Sequence, residues 1–272
     1  MRIYLDHNAG APLHPAARDA MAAALAGPGG NPSSIHAEGR AARAVIEAAR
    51  SQVAALVGAH ARAVVFTGGA TEAINTVLRG GFSTIFLSAL EHDAVLQAAR
   101  LSGARVIEVA ARADGTIDLA ALEQALMASE EPGRALLALQ LANNETGAVQ
   151  PVAAAARLAR ANGVALLTDA VQAAGRISID VAELGSDFLV LSSHKIGGPK
   201  GAGALVIHDG RYVEPLIAGG GQEGRRRAGT ENVPGIAGFG AAALEAASEA
   251  ADTRSVAALR DRRGTCARRG LL

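Results

Sequence analysis

The chain has 272 residues, enough to bury a sizeable core in one or two domains. Half the residues are hydrophobic but only 3% are aromatic and none is Trp, so the core has to be assembled from Ala, Val, Leu and Ile, which suits helices packed on a buried sheet. Lys+Arg and Asp+Glu each number 26, and a formal net charge of zero carries none of the basic excess that announces a nucleic-acid or membrane-surface partner.

Residues 1–14 read as an extended segment, with Asp6 standing where a signal peptide would need unbroken apolar residues. Pro15 to Ala26 reads as an alanine-rich helix opened by proline in its first turn, and Gly27 to Ser34 breaks it. His36 to Val57 is a long amphipathic pattern with Ala41, Val45, Ala48, Val53 and Leu56 on one face and Arg40, Arg43, Glu47 and Arg50 toward the other, stopped by Gly58.

Short apolar or β-branched runs then recur at Val64 to Phe66, Thr84 to Leu87, Val106 to Val109, Leu136 to Leu139, Val164 to Leu167, Phe188 to Leu191 and Ala204 to Ile207. Helical patterns at Ala70 to Leu78, His92 to Leu101, Leu119 to Met127 and Val152 to Ala161 lie between them, the alternation of a parallel sheet. The seventh run starts only about a dozen residues after the sixth, too soon for a helical crossover, and is expected to be antiparallel. Residues 15–250 are therefore expected to form one α/β domain: a seven-stranded, mostly parallel sheet with helices on both faces.

Beyond the last strand come a Gly-rich loop at Gly219 to Gly224, the cluster Arg225-Arg226-Arg227, and a helix from Val233 to Ala250. Residues 251–272 are Arg-rich with little apolar periodicity and read as a frayed helix or solvated tail. The one cysteine, Cys266, falls there; it excludes an internal disulfide framework and fits a reducing compartment. No uncharged apolar run approaches a membrane-spanning length, so the expectation is a soluble cytoplasmic protein.

Only two of the 26 basic residues are lysine, Lys195 and Lys200, both within Ser192-Ser193-His194-Lys195-Ile196-Gly197-Gly198-Pro199-Lys200-Gly201. Where a fixed cation sufficed, arginine was used; a lysine amine differs in that it can lose its proton when desolvated and attack a carbonyl. Four further polar clusters stand just past predicted strand ends: Thr67-Gly68-Gly69-Ala70-Thr71-Glu72, Glu91-His92, Asn143-Asn144-Glu145 and Asp169-Ala170-Val171-Gln172. In an open parallel sheet those ends share one edge, where ligands bind.

Each cluster has two readings. Gly68 to Glu72 is either a turn and helix cap or a cradle for a phosphate. Asp169 is either an N-cap or an acid that holds a proton on a pyridine nitrogen. His92 either caps the following helix or stacks on a flat ring and moves protons. Asn144 and Gln172 either satisfy loop backbone or face a ligand. Taken together, a phosphate site, an acid for a ring nitrogen, a stacking histidine and a reactive lysine describe pyridoxal 5′-phosphate.

The motifs Tyr4-Leu5-Asp6-His7-Asn8-Ala9, Gly30-Asn31-Pro32-Ser33-Ser34-Ile35-His36, Phe66 to Glu72, Asn143-Asn144-Glu145-Thr146-Gly147, Asp169 to Gln172, Ser193 to Gly201 and Arg227-Ala228-Gly229-Thr230-Glu231-Asn232 resemble, in order, the cysteine desulfurases of the class V aminotransferase group. The resemblance implies the large domain of a fold-type I enzyme in which Lys195 holds pyridoxal phosphate covalently. It implies that Asp169 pairs with the pyridine nitrogen, His92 lies over the ring and Gln172 contacts the ring oxygen. Ala70, Thr71, Ser192 and His194 would bind the phosphate, joined by Thr230 from the other subunit of a homodimer, and Asn144 would touch cofactor and substrate. L-cysteine would be converted to alanine, its sulfur leaving as an enzyme persulfide for an acceptor such as an iron–sulfur scaffold protein.

Two features depart from that pattern. Gly10-Ala11 stands where the family usually has a threonine pair. The family's smaller C-terminal domain, which supplies the catalytic cysteine and a carboxylate-binding arginine, has no counterpart motif, and Cys266 lacks the Ser/Gly-rich surroundings of a catalytic loop, so a truncated and impaired desulfurase is expected. Another class V lyase or transaminase, or a non-enzymatic remnant that still binds the cofactor, stays open.

Overall fold

A computed structural model describes residues 3–208 and 210–250. The Arg-rich tail and Cys266 lie outside the described residues. Helices α1 (Pro15–Ala26) and α2 (Ala37–Leu56) precede the alternating region β1 (Val64–Thr67), α3 (Ala70–Leu78), β2 (Thr84–Ser88), α4 (Asp93–Arg100), β3 (Arg105–Val109), α5 (Leu119–Met127), β4 (Ala135–Gln140), α6 (Val152–Ala161), β5 (Ala165–Asp169), α7 (Val181–Leu184), β6 (Phe188–Ser192) and β7 (Gly203–Ile207); α8 (Val233–Ala250) closes the described chain.

The strands form one sheet in the order β1-β7-β6-β5-β4-β2-β3. Strands β3, β2, β4, β5 and β6 pair in parallel, while β7 runs antiparallel to both β6 and β1. Strand β1 thereby points the same way as β6, and its C-terminal end joins the edge formed by the other parallel strands. The short β6–β7 connection does produce the antiparallel strand its length demands.

Alternation along the central strands divides the core between two faces. Val64, Phe66, Leu137, Leu139, Leu189 and Leu191 pack with α2, α5, α6 and α8, including Ile46, Leu122, Val152 and Phe239. Val65, Leu136, Ala138, Phe188, Val190 and Leu205 pack with α3 and α4 through Ile74, Val77, Val95 and Ala98.

Two details differ from the sequence-based expectation. A one-turn helix, α7, stands between β5 and β6, capped by Asp180 and ended by Gly185 at φ 71°. The polar face expected for α2 is broken at Arg50, which is 8% exposed, whereas Ala41 and Ala48 of the expected apolar face are exposed. The Arg50 guanidinium donates to both carboxylate oxygens of Glu223 at 2.6 and 2.8 Å and to the Val64 carbonyl at 3.0 Å, and lies 4.9 Å over the Phe66 ring. A partner distant in sequence satisfies the charge, which the helical wheel alone could not show.

Candidate active site

A cavity of about 570 Å³ opens at the common C-terminal edge of β1, β2, β4, β5 and β6. It is lined by Ala70, Thr71, His92, Asn144, Asp169, Gln172, Ser192, His194 and Lys195. Nine of the ten residues expected from sequence thus converge. Thr230 does not: it is exposed and lines a second, apolar cavity of about 900 Å³ between α1, α2 and α8.

The end of the cavity at the N-terminus of α3 is built by glycine. Gly203, the first residue of β7, lies opposite both Thr67 and Ser192, and a Cβ there would come within 2.6 Å of the Gly69 backbone. Its absence lets the Gly68-Gly69 turn settle against the sheet and start α3 at the cavity wall. Gly69 offers no side-chain cap, so the first N–H groups of α3 keep their donors for a ligand. The Gly68 N–H is used differently: it donates to Glu72 Oε2 at 2.7 Å, and Glu72 in turn pairs with Arg227 at 2.9 Å.

His92 combines the two roles weighed from sequence. It is the N-cap of α4, its Nδ1 accepting the Ala94 N–H at 3.0 Å, and its ring also lines the cavity. With Nδ1 committed as an acceptor, proton exchange with a ligand falls to Nε2. Beyond β4 Asn143 organises the loop, its Oδ1 accepting the N–H groups of Glu145 and Thr146 at 2.9 and 2.8 Å, while Asn144 lines the cavity.

Asp169 ends β5, 8% exposed, with Oδ1 accepting the Val171 N–H at 2.9 Å. Burial raises its carboxyl above the ordinary value, opposed by that N–H and by the charges of His92 and Lys195. A buried acid with spare acceptor capacity suits a protonated ring nitrogen. Next to it Glu91 is buried more completely; its two oxygens share one donor, the Gln140 N–H, at 3.1 and 3.0 Å. Burial pushes this carboxyl well up, and the Asp169 charge adds to the effect.

Lys195 sits in a single helical turn directly after β6. Its amine donates to the Asn8 carbonyl and, at 3.2 Å, to the Ala9 carbonyl. Burial lowers the amine below the usual lysine value and the Arg176 charge lowers it further, against the pull of Asp169 and Asp6. Beside it His194 Nδ1 bonds the Ser192 hydroxyl at 2.9 Å; burial, then the charges of Lys195 and Lys200, lower its pKa and favour neutral imidazole.

Sequence reasoning assigned no role to Asn8, Glu91 or Arg176. Asn8 stood in the motif Tyr4 to Ala9 without a role of its own, and its contacts with Lys195, Gln172 and Arg176 span more than 160 positions of sequence; Glu91 stood in a polar cluster, but its full burial is a tertiary fact.

An α/β fold that gathers a partly buried lysine, an uncapped helix N-terminus and a buried acid at its sheet edge has the groups that could hold a small anionic carbonyl compound. Residues 3–263 match the model of the aminotransferase class V family. A cysteine desulfurase of Cereibacter sphaeroides is 43% identical over 96% of this chain and 69% of its own length. A NifS-like protein from Rickettsia africae superposes with a TM-score of 0.88 at 34% identity, covering 93% of this chain and 71% of that one. SspA, solved in complex with cysteine, superposes at 0.82 with 32% identity, covering 89% of this chain and 72% of that one. The chain belongs to the class V aminotransferase family, and its relatives there are cysteine desulfurases. It spans about two thirds of the length of the curated relatives it matches.

Proposed function

We propose that residues 3–250 are the cofactor-binding part of a pyridoxal-phosphate-dependent cysteine desulfurase. The observation that carries this reading is the convergence of Lys195, Asp169, His92 and the uncapped N-terminus of α3 on one cavity. Lys195 holds the cofactor aldehyde, Asp169 the ring nitrogen, Gln172 the ring oxygen, and His92 the ring face. Ala70, Thr71, Ser192 and His194 hold the phosphate, with Thr230 reaching it from a second copy. When bound, the cofactor supplies an electron-withdrawing ring that stabilises negative charge at the substrate α-carbon.

The residues around it then have defined tasks. Asp169 keeps its negative charge against the ring nitrogen. Lys195 would be the base placed to take and return the α-carbon proton. His92 exchanges protons through Nε2 at the substrate sulfur, and Asn144 orients the amino acid. The net change is L-cysteine to L-alanine, with the sulfur passed to a thiol as a persulfide and from there to a sulfur acceptor. Similarity to cysteine desulfurases and to SspA, solved with cysteine, supports the substrate class. Among the described residues no helix is long and apolar enough to cross a membrane, which is compatible with a cytoplasmic site of action.

The homodimer has its own support. Thr230 stands outside the cavity of its own chain, in an apolar groove that is also lined by Leu25, which is 70% exposed. Exposed apolar surface of this kind marks an interface.

The test is spectroscopic. Protein mixed with pyridoxal phosphate is expected to give a visible absorption band that Lys195→Ala abolishes and Lys200→Ala retains, and L-cysteine is expected to change that band. Folded protein with no band overturns the reading. Sulfide release from L-cysteine by the Cys266→Ser variant would show that this thiol is not required.

A further inference from the structure

The N-terminal segment lies across the cavity mouth and joins residues that belong to different strands. Its course is fixed at several points. The Ala11 N–H donates to the His194 carbonyl at 2.9 Å and the His14 N–H to the Gly197 carbonyl at 2.8 Å. Nearer its start, the Tyr4 hydroxyl donates to the Asp6 and Gly10 carbonyls at 2.7 and 3.0 Å, and the Ala9 N–H donates to Asp6 Oδ1 at 3.2 Å. These bonds close residues 4–10 into a compact loop.

Asn8 is the residue of that loop with the most connections to the site. Its carbonyl accepts from the Lys195 amine and, at 3.0 Å, from Gln172 Nε2. Its side-chain amide donates to the Asn144 carbonyl at 3.0 Å, and its Oδ1 faces Arg176 Nη2 at 3.5 Å. Arg176 donates in addition to the Gln172 and His7 carbonyls at 3.0 and 3.4 Å, so it anchors the same loop. One residue thus touches β4's loop, β5's loop and the amine after β6.

We propose that Asn8 is a positioning residue for the Lys195 amine. Its side chain, held by Asn144 and Arg176, fixes the plane of its own peptide, and that peptide's carbonyl docks the amine whenever the amine is not attached to another group. The inference rests on the reading of Lys195 as the reactive amine and adds the residue that aims it. A carbonyl acceptor favours the protonated amine, whereas the Arg176 guanidinium opposes it; Asn8 stands between the two influences.

The chain's composition makes this testable without the cofactor. Arg176 and Arg211 bound a stretch that contains both lysines, so acetylation of cofactor-free protein by acetic anhydride can be followed at Lys195 and Lys200 in one peptide by mass spectrometry. Lys200 is the internal standard. Asn8→Asp sets a carboxylate opposite Arg176, whose charge lowers the amine, and is expected to move the Lys195 labelling midpoint up by about one pH unit. Asn8→Ala frees the carbonyl from its two side-chain anchors and is expected to move the midpoint in the opposite direction. Opposite shifts at Lys195, with the Lys200 profile and the melting temperature held, are the predicted signature. Labelling profiles equal to wild type in both variants overturn the proposal, as does a change in melting temperature with no movement at Lys195. These outcomes are independent of the visible band, whose absence in the wild-type chain would instead overturn the functional reading.

Discussion

Glu91 shows how much a single buried carboxyl can influence this site. Its folded pKa is raised by burial and by the neighbouring Asp169 charge. A raised acid contributes stability that is complete below its unfolded value and is lost as pH rises through the folded one. Glu91→Gln keeps the shape and cannot ionise, so the variant is expected to gain stability over wild type as pH rises above the ordinary carboxyl range toward the raised folded value, with about 2–4 °C in melting temperature for each kcal/mol. Parallel pH–stability curves for the two proteins would show that Glu91 does not carry this penalty.

The residues legible from sequence were those whose chemistry is declared by type and spacing. A chain that uses arginine almost everywhere draws attention to Lys195, while Gly68-Gly69 before a helical run reads as either a turn and cap or an anion cradle until the other clusters are set beside it. Asn8 belonged to a recognisable motif, Tyr4 to Ala9, but its type and spacing declared no chemistry. It meets Lys195 and Asn144 across 187 and 136 positions of sequence, and only the folded sheet edge brings them together.

At the scale of elements, the Gly219 to Thr230 loop hangs on the Arg50–Glu223 pair. Glu223 accepts from Arg50 and from the Phe66 N–H at 2.9 Å, and it adopts φ 46°, a left-handed conformation unusual for a non-glycine residue. The buried pair compensates that backbone, ties α2 to β1 and presents the loop that ends in Thr230. Arg50→Ala or Glu223→Ala strands one buried charge and is expected to cost about 3–5 kcal/mol in a urea titration. A loss below about 1 kcal/mol would mean that water reaches the pair and that it holds nothing in place.

Strand and helix positions were readable because periods of two and of 3.6 persist in short apolar runs, and β7's direction followed from the length of its connection alone. Helix α7 was missed for the converse reason. One turn shows no periodicity, although its cap residues Asp180 and Gly185 are both in place. The face of α2 was misread because Ala41 and Ala48 line the groove that holds Thr230 while Arg50 turns inward.

For the whole molecule, that groove is where the proposed dimer would bring assembly and chemistry together. A second copy seated there would cover exposed apolar surface and deliver a hydroxyl to the partner's phosphate site. Ala48→Arg is expected to yield monomer by light scattering. Thr230→Ala is expected to keep the dimer and weaken pyridoxal phosphate binding about tenfold, the loss of about one hydrogen bond to a charged group. A monomeric wild-type chain with unimpaired cofactor affinity would refute the role given to Thr230.

The account depends most of all on which amine meets the cofactor. Borohydride reduction of the protein loaded with pyridoxal phosphate, followed by peptide mass spectrometry, reads this directly. The pyridoxyl group is predicted on Lys195; finding it on Lys200 alone, or on neither lysine, would contradict the assignment of the site.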